Sequence, residues 1–305
     1  MPEIKELVSK LDIEFDIKAF GKDPSFSRFI PNAYDPLRFD WKSAFEKEFV
    51  GLFNGLMLKG ASKVERVFLA VFPTDYVLER FLEEGNEGDL LFMHHPLLME
   101  CGDPKGKWGQ GFLPIKEKYI WQVKKKKLSI YTCHIPMDCH KKLGTNVAIA
   151  RALKAEIIER ELLNEIKNDF LLVCNIEKTN TDELVSTLKG IFEVPYVDFE
   201  GKKLNEIQRI AIVAGCGDKV DWMKEAERNG VQAYITGEVH CHIDNDYGKQ
   251  RYKEMIEYAS KTSMSLIGVS HSASEYLGHK TLMKDWFENN FDIKTVLIPQ
   301  EKWWL

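Results

Sequence analysis

Short apolar runs that end in histidine constrain this chain more than any other feature of its sequence. Three of them are LLFMHHP at 90–96, SIYTCHIPMD at 129–138 and LIGVSHSASE at 266–275. Each run has the length of a buried strand, and segments with helical periodicity lie between the runs. Strands that alternate with helices indicate an α/β fold.

The same periodicity predicts the other elements. Strands are expected at 64–71, 90–93, 128–133, 170–176, 210–214, 231–236, 266–270 and 295–298. Helices are expected at 76–84, 116–127, 146–154, 181–191, 220–229, 247–261 and 274–289. Residues 1–40 contain Pro24, Pro31 and Pro36, and we expect little regular structure there. The domain prediction is a divergent opening segment at 1–40, a first α/β lobe at 41–155 and a second at 156–305.

Composition narrows the class of protein. The 305 residues suggest about two domains, and 44% hydrophobic with 29% charged residues is typical of a globular protein. A net charge of -5 argues against a broad nucleic-acid interface. The sequence has no apolar run long enough to cross a membrane and no secretion signal. Six cysteines without a C-x-x-C pair predict reduced thiols, and therefore a cytoplasmic protein.

The strand-end histidines are candidates for a ligand site, because α/β sheets bind ligands beyond the carboxyl ends of their strands. His94 and His95 precede Pro96, which ends the strand and lets both imidazoles turn toward one site. His271 and Glu275 are four residues apart, so they lie on one side of a helical turn.

A second carboxylate has the same spacing. Asp138 follows His134 by four residues, and Pro136 makes that stretch a turn. Three imidazoles and two carboxylates, with Glu275 bridging, supply six bonds. That number suits two metals with open positions, as in catalytic sites. Two such ions keep a net positive charge, which favours an anionic ligand and lowers the pKa of water. The structural alternative is that these histidines only make hydrogen bonds at strand ends.

The motifs HHPLL, HIPMD followed by LGTNVAIARAL, ITGEVHCH and SHSASE resemble the successive motifs of the Nif-three-like (YbgI-type) dinuclear-metal family. Its members are commonly described as homologues of GTP cyclohydrolase I type 2. The resemblance runs from residue 64 to about residue 299. It implies a two-lobed α/β fold, two metals between the lobes and often a hexameric ring. It also implies five metal ligands: His94, His95, Asp138, His271 and Glu275.

The chain departs from the family pattern in three places. Residues 1–40 are extra or divergent, and the tryptophan-bearing opening motif is replaced by FNGLMLKG at 53–60. Some relatives carry an inserted domain in mid-chain. Only about 55 residues separate Ala155 from Arg209, so we expect that domain to be absent.

The leading hypothesis is a metal-dependent hydrolase of a phosphorylated or nucleotide-like anionic small molecule. Two divalent ions per chain (zinc, iron, manganese or nickel) would activate the attacking water. His134 is the expected catalytic residue, as an orienting group or proton shuttle. Glu238, His240 and His242 are weaker candidates for that role. The alternative is a non-enzymatic, metal-loaded binding or regulatory protein that acts through an oligomeric ring, a homohexamer.

Four other features leave alternatives open. GDPKGKW at 102–108 is a residue short of a P-loop and lacks its Ser or Thr. GCGDKV at 215–220 is a tight turn or an anion site. The lysines at 124–127 either complement a helix dipole or bind phosphate. Trp303 and Trp304 are an oligomer contact or pack on their own chain.

Overall fold

The chain folds into two α/β units, each with its own sheet. The computed structural model describes residues 1–159 and 170–299. The first unit comprises residues 1–99 and 112–137 and the stretch that follows residue 278, and the second comprises residues 100–111 and 138–278. The chain therefore crosses between units at 99–100, 111–112, 137–138 and 278–279, and its last described stretch returns to the first unit.

The described strands form two main sheets and a two-stranded ribbon. In chain order they are β1 (Gly55–Leu58), β2 (Arg66–Ala70), β3 (Leu90–Met93), β4 (Leu98–Glu100), β5 (Gly111–Leu113), β6 (Ser129–Thr132), β7 (Glu156–Glu159), β8 (Leu172–Thr179), β9 (Asp198–Gly201), β10 (Ile207–Val213), β11 (Ala233–Thr236), β12 (Ser265–Gly268) and β13 (Lys294–Leu297).

The described α-helices fill the connections between these strands. They are α1 (Ile4–Glu14), α2 (Ile17–Phe20), α3 (Phe26–Tyr34), α4 (Trp41–Ala44), α5 (Lys47–Leu52), α6 (Asp75–Glu84), α7 (Glu117–Lys125), α8 (Ile135–Asp138), α9 (Thr145–Ala152), α10 (Thr181–Phe192), α11 (Val220–Arg228), α12 (Asp246–Ala259), α13 (His271–Gly278) and α14 (Lys284–Phe291). A 3₁₀ turn spans Asp35–Leu37, and a π-helical turn spans His279–Met283.

The sheet of the first unit has the order β1-β6-β3-β2-β13. Strands β13, β2, β3 and β6 are parallel, and β1 is antiparallel at the edge. The last residues of β3 and β6, Met93 and Thr132, are register partners. The residues that follow these two strands therefore begin at one edge of the sheet, which places His94 close to Cys133 and His134.

The prediction of little regular structure at 1–40 is wrong. Helix α1 buries Ile4, Leu7 and Leu11 along one face, and α3 buries Phe26, Ile30 and Tyr34 in the core of the first unit. Pro24 and Pro36 lie outside the two helices, and only Pro31 is inside one. Burial of apolar faces outweighs the proline signals, because tertiary packing supplies most of a helix's stability.

The sheet of the second unit has the order β7-β8-β10-β11-β12-β9. Its three central strands, β10, β11 and β12, are parallel, and Val213, Thr236 and Gly268 are register partners at their carboxyl ends. The segments that leave these three strands therefore start side by side. Strands β7, β8 and β9, which flank these three, are antiparallel to their neighbours.

The eight predicted strands and seven predicted helices coincide with observed elements, except that 274–289 divides into α13, the π-helical turn and α14. Strands β1, β4, β5, β7 and β9 were not predicted. Strands β7 and β9 are short and polar and have no fully buried residue, so they carry no apolar run or alternation. The Asn180 side chain caps α10, because it accepts a hydrogen bond from the Glu183 N–H.

The lysine run contributes contacts within the fold. Lys126 Nζ donates to the carbonyl oxygens of Leu82 and Gly85 at the carboxyl end of α6, where a cation is favourable. Lys127 pairs with Glu87 at 2.9 Å. The six cysteines are all thiols, as predicted. None of the helices in the described part of the chain combines the length and apolar character that a membrane crossing requires.

Candidate metal centre

Three imidazoles lie together at the strand ends of the first unit. The ring centroids of His94 and His95 are 4.7 Å apart, and the ring of His134 lies 5.2 Å from the first and 5.0 Å from the second. Each residue offers a ring nitrogen within 4.8 Å of the others. His94 is fully buried and His95 is 2% exposed. The structure therefore places the predicted catalytic residue, His134, beside two predicted ligands as a third potential donor.

The backbone fixes this group. The amide of His95 donates to Val71 O at 3.0 Å, and the amide of Cys133 donates to Met93 O at 3.0 Å, so the parallel ladder continues past the ends of β3 and β6. The His95 ring stacks on Phe72 at 4.4 Å between centroids. Backbone pairing at the strand ends and the Phe72 ring thus hold the imidazoles in position.

Asp23 orients His134. Its Oδ2 lies 2.8 Å from His134 Nδ1, and its Oδ1 accepts the amide hydrogens of Ser25 and Phe26. Burial alone would raise the pKa of Asp23, but the charge and hydrogen bond of His134 and the two amides outweigh it and lower that pKa. A carboxylate on Nδ1 makes that nitrogen the donor, which leaves Nε2 able to accept a proton or bind a cation.

The second unit brackets one histidine between two carboxylates. His271 begins α13, at the end of β12; its Nδ1 lies 2.5 Å from Glu238 Oε1, and its Nε2 lies 3.0 Å from Glu275 Oε1. All three side chains are buried, with at most 4% of each residue exposed. Burial opposes a charge on His271, yet the carboxylates of Glu275 and Glu238 outweigh it and raise the pKa of the imidazole. The predicted four-residue spacing of His271 and Glu275 on one helical turn is confirmed.

A glycine turn makes room for this arrangement. Gly215 has φ +64°, and a Cβ built on it would lie 2.3 Å from Glu275 Oε1 and 3.0 Å from His271 Nε2. The Gly215 amide receives further support from Ser274 Oγ, which accepts its hydrogen bond at 2.9 Å. GCGDKV is thus a tight turn at the end of β10. Because its first residue, Gly215, has no side chain, the backbone can pack directly against the Glu275 carboxylate and the His271 imidazole.

Asp138 adds a third carboxylate to the second unit. Its Oδ1 accepts a hydrogen bond from Thr145 Oγ1 at 2.9 Å, which joins the short helix α8 to the start of α9. A carboxylate oxygen of Asp138 lies within 4.8 Å of one from Glu275. Two acidic groups this close disfavour each other's charge, and a bound cation relieves that repulsion.

Two thiols, Cys101 buried and Cys216 half-buried, flank the carboxylates. Cys101 Sγ lies 3.5 Å from His271 Nδ1, and Cys216 Sγ lies 3.7 Å from Glu238 Oε2. Burial, and then the charge of Glu238, raise the pKa of both thiols. Each thiol therefore keeps its proton near neutral pH, unlike the thiolates that act as nucleophiles.

A separate histidine pair follows β11. His240 Nδ1 lies 2.7 Å from Asp198 Oδ2, and the rings of His240 and His242 are 5.2 Å apart. Burial would lower the pKa of His240, but the hydrogen bond and charge of Asp198 and the charge of Glu200 raise it. The donor atoms of these two histidines group with Asp198, in a cluster that does not include His271.

Asp23 and Cys101 were missed at the sequence level, Gly215 was singled out only as part of a tight turn or an anion site, and Glu238 was only a weak candidate. Asp23 carries no local signal, because it lies 111 residues from its partner His134. Gly215 did carry one, since a glycine directly after a strand often marks a close approach of the backbone. Glu238 likewise follows strand β11, with only Gly237 between the strand end and this residue.

Buried imidazoles and carboxylates that converge at the strand ends of an α/β protein are typical of a metalloprotein. The chain contains several such groups that could hold a metal ion. It belongs to the Duf34/NIF3 (NGG1p interacting factor 3) family, whose model matches residues 51–302. The match starts beyond the opening segment, so Asp23 lies outside it.

Known relatives agree with this assignment. A GTP cyclohydrolase 1 type 2 homolog of Pyrococcus abyssi is 29% identical over 251 residues, which cover 80% of this chain and 88% of the relative. One of Archaeoglobus fulgidus is 27% identical over 236 residues, which cover 76% and 82%. Among solved structures, protein ybgI, described as of unknown function, superposes with a TM-score of 0.70 at 19% identity over 99% of both chains. TTHA1606 of Thermus thermophilus gives 0.64 at 18% identity over 99% of both. The predicted family and two-lobed α/β fold are confirmed.

Proposed function

We propose that this protein is a metal-dependent hydrolase that acts on an anionic, phosphorylated or nucleotide-like small molecule. The observation that carries the proposal is the buried imidazole of His271 between two carboxylates, beside a glycine that admits no side chain. Such a cradle of oxygen and nitrogen donors suits a divalent cation. The name GTP cyclohydrolase 1 type 2 homolog, which the curated relatives carry, supports a nucleotide as the substrate.

The proposed ligands are the five residues that the sequence singled out: His94, His95, Asp138, His271 and Glu275. Their donor atoms are imidazole nitrogens and carboxylate oxygens, which suit zinc, iron(II), manganese or nickel. Two such ions and two carboxylates leave a net charge of about +2, which favours an anionic substrate. Bound there, the ions would polarise the substrate and lower the pKa of water.

Two residues outside this proposed ligand set support it in different ways. His134, oriented by Asp23, presents Nε2 as a general base or shuttle, which is the role expected of it. Glu238 holds His271 Nδ1 at 2.5 Å and so fixes which nitrogen of that imidazole stays available. Proton transfer through His134 and orientation through Glu238 are thus separate tasks.

Metal analysis and turnover test the proposal together. Protein purified without a histidine tag and reloaded with zinc, iron or manganese should contain at least about two ions per chain. It should also hydrolyse at least one member of a panel of nucleotides and phosphate esters. His95→Ala should lose both properties while keeping the circular dichroism of the native fold. Less than one ion per chain after reloading contradicts the dinuclear proposal.

The family description, which names an interacting factor, favours a second candidate function. In that case the protein is a metal-loaded binding or regulatory protein that works as a homo-oligomer, with a hexamer as the proposed size. Metal-dependent capture of a protein partner, with no turnover of any substrate in the panel, would support this candidate over the hydrolase. Light scattering coupled to size-exclusion chromatography measures the oligomer directly.

A further inference from the structure

The second unit contains the carboxylate–imidazole–carboxylate pattern twice. In the first instance Glu238 and Glu275 bracket His271. In the second, Asp198 lies 2.7 Å from His240 Nδ1 and Glu200 lies 3.3 Å from His240 Nε2. The two instances have no residue in common.

Local structure explains the second instance. Asp198 and Glu200 are two residues apart on β9, so their side chains leave the strand on the same face. Strand β9 pairs with β12, and Asp198 is the register partner of Gly268. The carboxylates are therefore fixed by a strand, and His240 reaches them from the segment after β11.

The distances fit a metal ion. In a tetrahedral site with bonds of about 2.0–2.2 Å, two ligand atoms lie about 3.3–3.6 Å apart. His240 Nε2 and Glu200 Oε1 are 3.3 Å apart. Nε2 is buried and makes no aligned hydrogen bond with any residue that the structure describes. Asp198 on Nδ1 supplies the orienting carboxylate that metal-bound histidines have in proteins.

His242 groups with Asp198 and His240, and Glu200 adds an oxygen beside His240 Nε2. One donor atom each from Asp198, His240 and His242 lies within 4.8 Å of the other two. Both histidines are buried, 4% and 7% exposed. Two imidazoles with carboxylates match the chemistry of zinc and similar divalent transition metals.

Aromatic side chains close the cluster. Tyr252 lies 5.0 Å from the His240 ring and 5.3 Å from the His242 ring, and Trp108 lies 5.5 Å from the His242 ring, between centroids. The His242 carbonyl oxygen also accepts the Gly109 amide at 2.7 Å, which fixes the backbone beside Trp108. Apolar rings exclude water and strengthen metal–ligand attraction.

We propose that His240, His242 and Glu200, with Asp198 orienting His240, form a further zinc-type metal site, separate from the centre of the proposed function. The simpler alternative is a salt-bridged histidine pair without a metal. The two readings differ in zinc content, and that quantity can be measured without any assay of activity.

The test uses tag-free, full-length protein stripped by a chelator, reloaded with zinc alone, dialysed and analysed for metal. His242→Ala should hold about one zinc fewer per chain than the unmodified protein, and Glu275→Gln/His242→Ala about one fewer than Glu275→Gln. His140→Ala, which also removes an imidazole, should match the unmodified protein. Unchanged zinc in a folded His242→Ala overturns the inference.

A second variant and a second readout guard against a folding defect. The Glu200 side chain is 33% exposed, so Glu200→Gln should fold and bind zinc about tenfold more weakly in competition with a chelator. Cobalt(II) loaded into Glu275→Gln should give a visible absorption band that His242→Ala removes. Zinc lost in Glu275→Gln but not in His242→Ala or Glu200→Gln overturns this inference alone. Zinc lost only in the latter variants supports it and contradicts the dinuclear centre.

Discussion

The first unit presents its candidate ligands as imidazoles, and the second presents them mainly as carboxylates. In the first, three histidine rings lie within 5.2 Å of one another, and the carboxylate of Asp23 faces the outer one. In the second, one imidazole lies between Glu238 and Glu275. The two groups of donors thus differ in charge although both are buried at strand ends.

This difference shows what each unit can contribute to cation binding. Buried imidazoles bind a cation through lone pairs and cost little when neutral. Buried carboxylates supply charge, and they are costly to bury unless a cation or hydrogen bonds compensate them. A change in the second unit should therefore affect the number of ions bound, whereas a change in the outer residues of the first unit should affect orientation and proton transfer.

The largest effect is expected from Glu275→Gln. The amide keeps the shape of the side chain but removes a negative charge beside His271, so at least one ion should bind about 100-fold more weakly. Elemental analysis after reloading measures this. If Glu275 only interacts with the dipole of α13, the variant will lose about 0.3–1 kcal/mol of stability and keep its metal. His140→Ala is the control and should bind both ions.

Gly215→Ala tests whether the close approach of Gly215 to His271 and Glu275 is needed for metal binding. The new methyl group would meet Glu275 Oε1, and an L-residue at φ +64° costs about 1–2 kcal/mol. We expect a lower melting temperature and about tenfold or more weaker metal binding. Gly190→Ala is the matched control, because it lies in α10 with open space around it and should be neutral or stabilising by about 0.5–1 kcal/mol. Equal metal binding in both variants would show that the cradle is unimportant.

Asp23→Asn tests whether an outer residue of the first unit affects the orientation of His134 and proton transfer without affecting the number of ions bound. Oδ1 can still accept the Ser25 and Phe26 amides, but an amide NH₂ would face His134 Nδ1 and move the ring proton to Nε2. We expect about a tenfold loss of turnover with the ion count unchanged, and a change of tautomer in nitrogen NMR spectra of His134. Asp12→Asn, which alters a carboxylate bonded to Tyr131, should leave the His134 tautomer as it is.

The smallest effect is expected from a change at Glu227, a carboxylate that lies outside the candidate sites. Burial would raise its pKa, but hydrogen bonds from the Ser263 amide and hydroxyl, Tyr258 and Thr262 outweigh burial and lower it. A lowered pKa contributes stability above the unfolded glutamate value, and that stability is lost as pH falls through the folded value.

We therefore expect Glu227→Gln to lower the free energy of unfolding by about 1 kcal/mol at pH 7. The difference from the unmodified protein should shrink as the pH falls below the unfolded glutamate value and through the lowered folded value, where Glu227 takes up its proton. Urea denaturation at several pH values measures it, with the exposed Glu254→Gln as the control. A difference that does not depend on pH would mean that the charge of Glu227 is unimportant.

The contrast between the two units was only partly predictable. The strand-end histidines and the His271–Glu275 pair followed from apolar runs and from the four-residue spacing. Helices α1 and α3 did not, because three prolines at 24–36 led to the expectation of little regular structure over all of residues 1–40, whereas packing stabilises both apolar faces. Strand β9, which carries Asp198 and Glu200, was missed because a short polar strand has no hydrophobic pattern.

The sequence by itself determined the short-range features of this protein. Pro96 ends a strand after two histidines, and one helical turn brings Glu275 to His271, because backbone geometry fixes neighbours within about four residues. The tertiary structure alone decided which residues orient these groups. Asp23 reaches His134 across 111 residues and Glu238 reaches His271 across 33. Such pairs depend on strand order and on core packing, which no local pattern encodes.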